Sequence, residues 1–156
     1  MSQPLVGILT GSPSDLETVN QALDTLASLG VAAEVRALSA HRTPDLVVEY
    51  VRAAESRGIR VLIACAGMSA HLAGIVAAHT QLPVIGVPLA SGPLSGLDAL
   101  LSIVQMPPGV PVATVGVGGV ENAGFLAARI LALQHPEIRA KLEESAAAQR
   151  RRYQSA

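Results

Sequence analysis

A chain of 156 residues with a formal net charge of −1 is long enough to fold as one domain, 1–156, that buries roughly two-thirds of its unfolded surface. The balanced charge and the scarcity of aromatic residues, Tyr50, Phe125 and Tyr153, exclude a nucleic-acid surface and leave nothing on which a flavin would stack. Half of the residues are hydrophobic and 15% are charged, but the apolar runs are broken well short of the roughly 18 residues that a membrane span needs.

So apolar a composition in a 16.0 kDa chain leads us to expect that other subunits cover part of the surface. No basic segment leads a long apolar run at the start, so no signal peptide is expected and the expected location is the cytoplasm. The single cysteine, Cys65, closes an apolar run and reads as a small buried residue rather than a nucleophile.

Residues 5–10 form a continuous apolar run of strand length, the pattern of a central parallel strand covered on both faces. Gly11-Ser12-Pro13-Ser14-Asp15 follows, and the spacing of Leu16, Val19, Leu23, Leu26 and Ala27 predicts a helix to about Leu29 that Gly30 ends. A polar loop in front of a helix offers N–H groups and hydroxyls to an anion such as phosphate. The unit then repeats. A strand over 33–38 runs into Ser39-Ala40-His41-Arg42-Thr43-Pro44, where Thr43 suits the cap and Pro44 the first turn of a helix over 44–57. His41 and Arg42 thus stand at the mouth of a strand-to-helix loop, where open α/β sheets bind ligands. A guanidinium there can fork onto phosphate oxygens, and an imidazole can move a proton near neutral pH. An ordinary polar loop fits the same six residues.

A third strand over 61–65 leads into a loop of small residues, 66–74, that lets a ligand approach the backbone before a helix to about His79. Strand four covers 84–87, and Ser91 to Gly96 opens a helix through Ile103. Strand five covers 110–115, followed by the glycine-rich stretch 116–122, a helix over 123–133 and a charged, weakly amphipathic helix from Pro136 to about Arg152. That last helix is expected to lie along the surface or on a neighbouring subunit, with Arg150, Arg151 and Arg152 meeting its C-terminal dipole. Strands alternating with helices predict an α/β fold, a five-stranded parallel sheet with right-handed crossovers and an extra C-terminal helix.

Missing residues exclude several α/β chemistries. The only lysine is Lys141, so there is no phosphate-loop lysine and no Schiff-base lysine. Gly116-x-Gly118 lacks a third glycine and follows the last strand rather than the first, against a dinucleotide fingerprint. No Gly-x-Ser-x-Gly elbow occurs, and His41, His71 and His79 show no clear metal-ligand spacing, which leaves open only their convergence in space. The first three strand ends instead converge on Ser12, Ser14 and Asp15, on Ser39, His41 and Arg42, and on Ser69 and His71. Phosphate suits the serines and Arg42, a diol such as ribose suits Asp15, and His41 is the general acid–base candidate. His71 reads as a second proton carrier or as a structural hydrogen-bonder heading an apolar helix.

Five collinear motifs, Gly11-Ser12-x-Ser14-Asp15, Ser39-Ala40-His41-Arg42-Thr43-Pro44, Ala70-His71-Leu72, 82–88 and 100–107, resemble the carboxyaminoimidazole ribonucleotide mutase family of purine biosynthesis. The resemblance implies a flavodoxin-like three-layer αβα sandwich, assembled as an octamer without metal or organic cofactor. It implies a carboxylate shift from the exocyclic nitrogen of aminoimidazole ribonucleotide to ring carbon 4. By matching position, Ser12, Asp15 and Arg42 bind the ribonucleotide, His41 carries the proton, and the loop around Gly67 holds the base and the carbon dioxide. Met68, Ser69 and Ala73 depart from the family's loop, and 116–122 is about two residues short. A related branch carboxylates the amine directly with carbon dioxide, with lysine for Arg42 and without the His71-Leu72 pair, so those three residues favour the mutase branch. A phosphoribosyl-ligand sensor on the same fold is the reading outside enzymology, and the pairing of Asp15 with His41 speaks against it, since phosphate binding alone needs no titratable imidazole.

Overall fold

The computed structural model describes residues 3–154. Its centre is a parallel sheet of β1 (Val6–Thr10), β2 (Ala33–Ala37), β3 (Val61–Gly67), β4 (Val84–Leu89) and β5 (Ala113–Thr114), in the order β2-β1-β3-β4-β5. Crossovers run through α1 (Leu16–Ser28), α2 (Pro44–Ala54), α3 (Leu72–Ala78) and α4 (Leu97–Val104), and α5 (Val120–Leu131) and α6 (Pro136–Gln154) follow the last strand. The continuous apolar runs have their explanation here: every residue of β1 and β4 is buried. Successive side chains serve opposite faces of the sheet. Val6, Ile8, Ile63 and Val87 pack with Val19, Ala22 and Leu26 of α1 and with Val120, Ala123 and Ala127 of α5. Leu9, Leu62 and Ala64 pack with α2, α3 and α4 through Val47, Val51, Leu72, Val76 and Ile103. Two helical layers therefore sandwich the sheet, the flavodoxin-like arrangement.

The strand order decides where a ligand can enter. From β1 the chain crosses to β2 on one side, and β3 returns to the other side of β1, in register from Val6 against Val61 to Thr10 against Cys65. The loops after β1 and β3 lead to helices on opposite faces, and a crevice opens between them at the carboxyl end of the sheet. At the far side of the sheet, Gly86 brings α4 down on β4, because a Cβ there would stand 2.8 Å from Val112 and run into Ile103.

Several boundaries differ from the sequence expectation. Strand five shrinks from 110–115 to Ala113–Thr114, which pair with Ile85 and Gly86 of β4. Val110 is held in a turn by Pro107 O at 3.2 Å, and Pro111 has no N–H for the ladder. Helix α5 starts three residues earlier, at Val120, since the Gly119 carbonyl already accepts from Ala123 N–H at 3.0 Å. Helix α2 stops at Ala54 instead of 57, where Gly58 at φ 93° turns the chain into β3. The third loop contracts to 68–71, because Ala66 and Gly67 still pair with Pro88 and Leu89. In α6 only Ile138 is buried.

Candidate active site

At the end of β1, the buried Thr10 organises the first loop. Its hydroxyl lies 3.4 Å from Asp15 Oδ2, to which it donates, and 3.5 Å from the Ser12 carbonyl. Ser12 Oγ caps the short turn Pro13–Asp15 by accepting from Ser14 N–H at 3.3 Å, and it lies 2.8 Å from Ser14 Oγ. Ser14 Oγ donates in turn to Asp15 Oδ1 at 3.3 Å. The carboxylate is thus oriented by hydroxyls on both oxygens. Thr10 belongs to this cluster although its sequence position reads as the last residue of an apolar strand.

The second loop is wound around Ser39. Its Oγ accepts from the backbone N–H groups of His41 at 3.3 Å and Arg42 at 3.1 Å, and from Arg42 Nε at 3.4 Å. Thr43 holds the N-cap position of α2 as its sequence suggested, but its side chain makes no capping hydrogen bond. Its Oγ1 turns back to accept from Ser39 N–H at 3.0 Å and to donate to Ser39 O at 3.1 Å, closing the loop on itself. Arg42 Nη2 reaches across to the Gly11 carbonyl at 2.9 Å and ties the second loop to the first.

The third loop delivers His71. Met68 turns the chain with φ 56°, and Ser69 O accepts from His71 N–H at 2.8 Å. The imidazole then meets that of His41, with His41 Nε2 and His71 Nδ1 2.7 Å apart and the rings edge to face at 88°. Sequence reasoning left His71 between a proton carrier and a structural hydrogen-bonder; its ring partner is His41 itself. Leu72 is 2% exposed and walls the floor.

One open cleft of about 710 Å³ is lined by Ser12, Ser14 and Asp15, by Ser39, His41 and Arg42, and by Gly67, Ser69, His71 and Leu72. Ser91, Met68 and Ala40 line it as well and carried no role in the sequence reading. Ser91 arrives from the loop after β4, and its hydroxyl occupies the space that a Cβ on Gly67 would need. Beneath the cleft, burial first and the Asp15 carboxylate second push the Cys65 thiol up to about 12, so the group stays a neutral thiol. Among the described residues no three histidine, cysteine or acidic side chains are grouped to hold a metal ion.

The family model for AIR carboxylase matches residues 5–152. The chain belongs to the AIR carboxylase family. It is 54% identical to the N5-carboxyaminoimidazole ribonucleotide mutase of Pyrococcus abyssi over 144 residues, which cover 92% of this chain and 83% of that protein. It is 56% identical to the mutase of the same name from Bacillus subtilis strain 168 over 144 residues, 91% of this chain and 89% of that protein. The crystal structure of Treponema denticola PurE superposes with a TM-score of 0.89 at 31% identity, covering 97% of this chain and 95% of that one.

Proposed function

We propose that this chain converts N5-carboxyaminoimidazole ribonucleotide to 4-carboxyaminoimidazole ribonucleotide, with His41 as the general acid–base. The observation that carries the reading is the position of His41: its imidazole borders the same cleft as the Ser12, Ser14 and Asp15 cluster and Arg42, with His71 against it. The chain around it is 54% and 56% identical to proteins named for this reaction.

The chemistry balances on one shuttled proton. The carbamate C–N bond breaks, carbon dioxide leaves, and protonated His41 gives its proton to the exocyclic nitrogen. Ring carbon 4 of the resulting amine then attacks the trapped carbon dioxide, and neutral His41 takes up the proton that this carbon releases. The histidine ends as it began, and the net change is a carboxylate moved from nitrogen to carbon. Asp15 suits the ribose hydroxyls. Ser12, Ser14, Ser39 and Arg42 suit the phosphate, and Gly67, Ser69, His71 and Leu72 border the base and the carbon dioxide.

Arg42 and the His71-Leu72 pair favour the mutase over direct carboxylation of the amine. An octamer in the cytoplasm completes the proposal. It is supported by the row of Leu97, Leu101 and Val104 on α4, which are 55%, 51% and 47% exposed and which a neighbouring subunit would cover. Among the described residues no helix is long and apolar enough to cross a membrane. The test is substrate choice. The purified protein should consume the carbamate much faster than it consumes aminoimidazole ribonucleotide with modest bicarbonate, and an equal or reversed preference would assign it to the carboxylase branch.

A further inference from the structure

Met68 is an apolar side chain of the cleft that is 53% exposed, on a backbone at φ 56° that side chains rarely adopt. Strain of this kind persists where the surroundings over-determine it. The contact that holds it is with Gly92, itself at φ 74°: Met68 Cγ, Sδ and Cε lie 3.1, 3.6 and 3.8 Å from where a Cβ on Gly92 would stand. The whole thioether arm is therefore laid along the bare backbone of the loop after β4. One residue earlier in that loop, Ser91 presses its side chain over Gly67, with its Cβ 3.0 Å from the site of a Gly67 Cβ. The two contacts fasten residues 67 and 68 to residues 91 and 92 like the two halves of a clasp. Between them the Ser91 hydroxyl lines the cleft and has no hydrogen-bond partner among the described residues.

We propose that Met68 is a positioning residue that clasps the β4–α4 loop onto the end of β3 and holds the Ser91 hydroxyl where it donates to an oxygen of the bound ribonucleotide. The role of Ser91 rests on the mutase reading; the clasp itself does not. A flexible thioether suits the task, since it fills an irregular gap without demanding one rotamer. The strained φ at residue 68 is then the consequence of aiming that arm at Gly92, and glycine at 68 would relieve the strain while releasing the loop.

The experiment is a double-mutant cycle on the full chain, read as KM and kcat for the carbamate, together with the ε-methyl NMR signal of Met68. Met68→Gly and Ser91→Ala should each raise KM about five-fold with kcat within about two-fold, and the double variant should be no worse than either alone. Met68→Leu, which keeps the arm's bulk, should restore KM to within about two-fold of wild type. A double variant that multiplies the single effects, or a Met68→Gly variant with wild-type KM, overturns the proposal. Gly92→Ala should displace the Met68 methyl resonance, and an unmoved signal overturns the clasp whatever the activity. Wild-type protein that leaves the carbamate untouched while the methyl moves would sink the mutase reading and leave the clasp standing.

Discussion

His41 Nε2 and His71 Nδ1 stand 2.7 Å apart, although 30 positions separate them in the chain. At that distance one N–H fits between the two nitrogens, so one ring donates and the other accepts. His71 thereby fixes the direction of the His41 ring, as an orienting partner does for a catalytic histidine. His71→Ala is expected to lower kcat about ten-fold with KM within about two-fold, because a freely rotating imidazole is rarely in line with its proton. His71→Asn, whose amide can still reach His41, should lose less. Steady-state kinetics decides it, and wild-type kcat in His71→Ala would remove the orienting role.

Arg42 bridges two loops through Gly11 O at 2.9 Å and Ser39 Oγ at 3.4 Å. A lysine keeps the charge but offers one point where the guanidinium offers a fork. Arg42→Lys should raise KM about ten-fold and change kcat less than about three-fold, the signature of binding lost equally from ground and transition states. An unchanged KM would take Arg42 out of the phosphate site.

Away from the cleft, Tyr50 Oη donates to Glu34 Oε1 at 2.7 Å, and Arg57 Nη1 pairs with the same oxygen at 2.8 Å. Burial pushes the Glu34 carboxyl up, but the hydroxyl and the guanidinium together outweigh it and hold the group below its ordinary value of 4.5. A carboxylate held down in the folded state contributes stability that is fully present above its unfolded value and is lost as pH falls through the folded one. Denaturant melts at successive pH values below about 5 should therefore show a steeper loss in wild type than in Glu34→Gln. Parallel pH dependences would show that the pair contributes nothing.

Most of the fold was legible because the signals are local. The runs over 5–10, 61–65 and 84–87 are apolar on both faces only in a doubly covered sheet, and the polar loops after them mark its carboxyl end. The serines, Asp15, His41 and Arg42 were legible for the same reason, each lying within five residues of a strand end. What the sequence hid depends on neighbours across the sheet. The meeting of His41 with His71 needs β1 placed between β2 and β3. Ser91 enters the cleft because the loop after β4 folds back over Gly67. Thr43 reads as a cap by type, but the Ser39 backbone competes for its hydroxyl and wins. Strand five reads as six residues by composition, but the turn that holds Val110 and the missing N–H of Pro111 leave it two.

The central claim is that His41 moves the proton, and His41→Asn tests it most directly, since asparagine keeps polarity and approximate reach without a group that titrates near neutrality. His41 is exposed in the loop, so the variant should fold with stability within about 1 kcal/mol of wild type. Calorimetry should still find the ribonucleotide bound through Ser12, Asp15 and Arg42. Turnover of the carbamate should fall to about 1% or less, within the 10²–10⁴-fold range that a positioned proton carrier supplies. A folded His41→Asn protein that binds the ribonucleotide and turns the carbamate over at a near-wild-type rate would contradict the account.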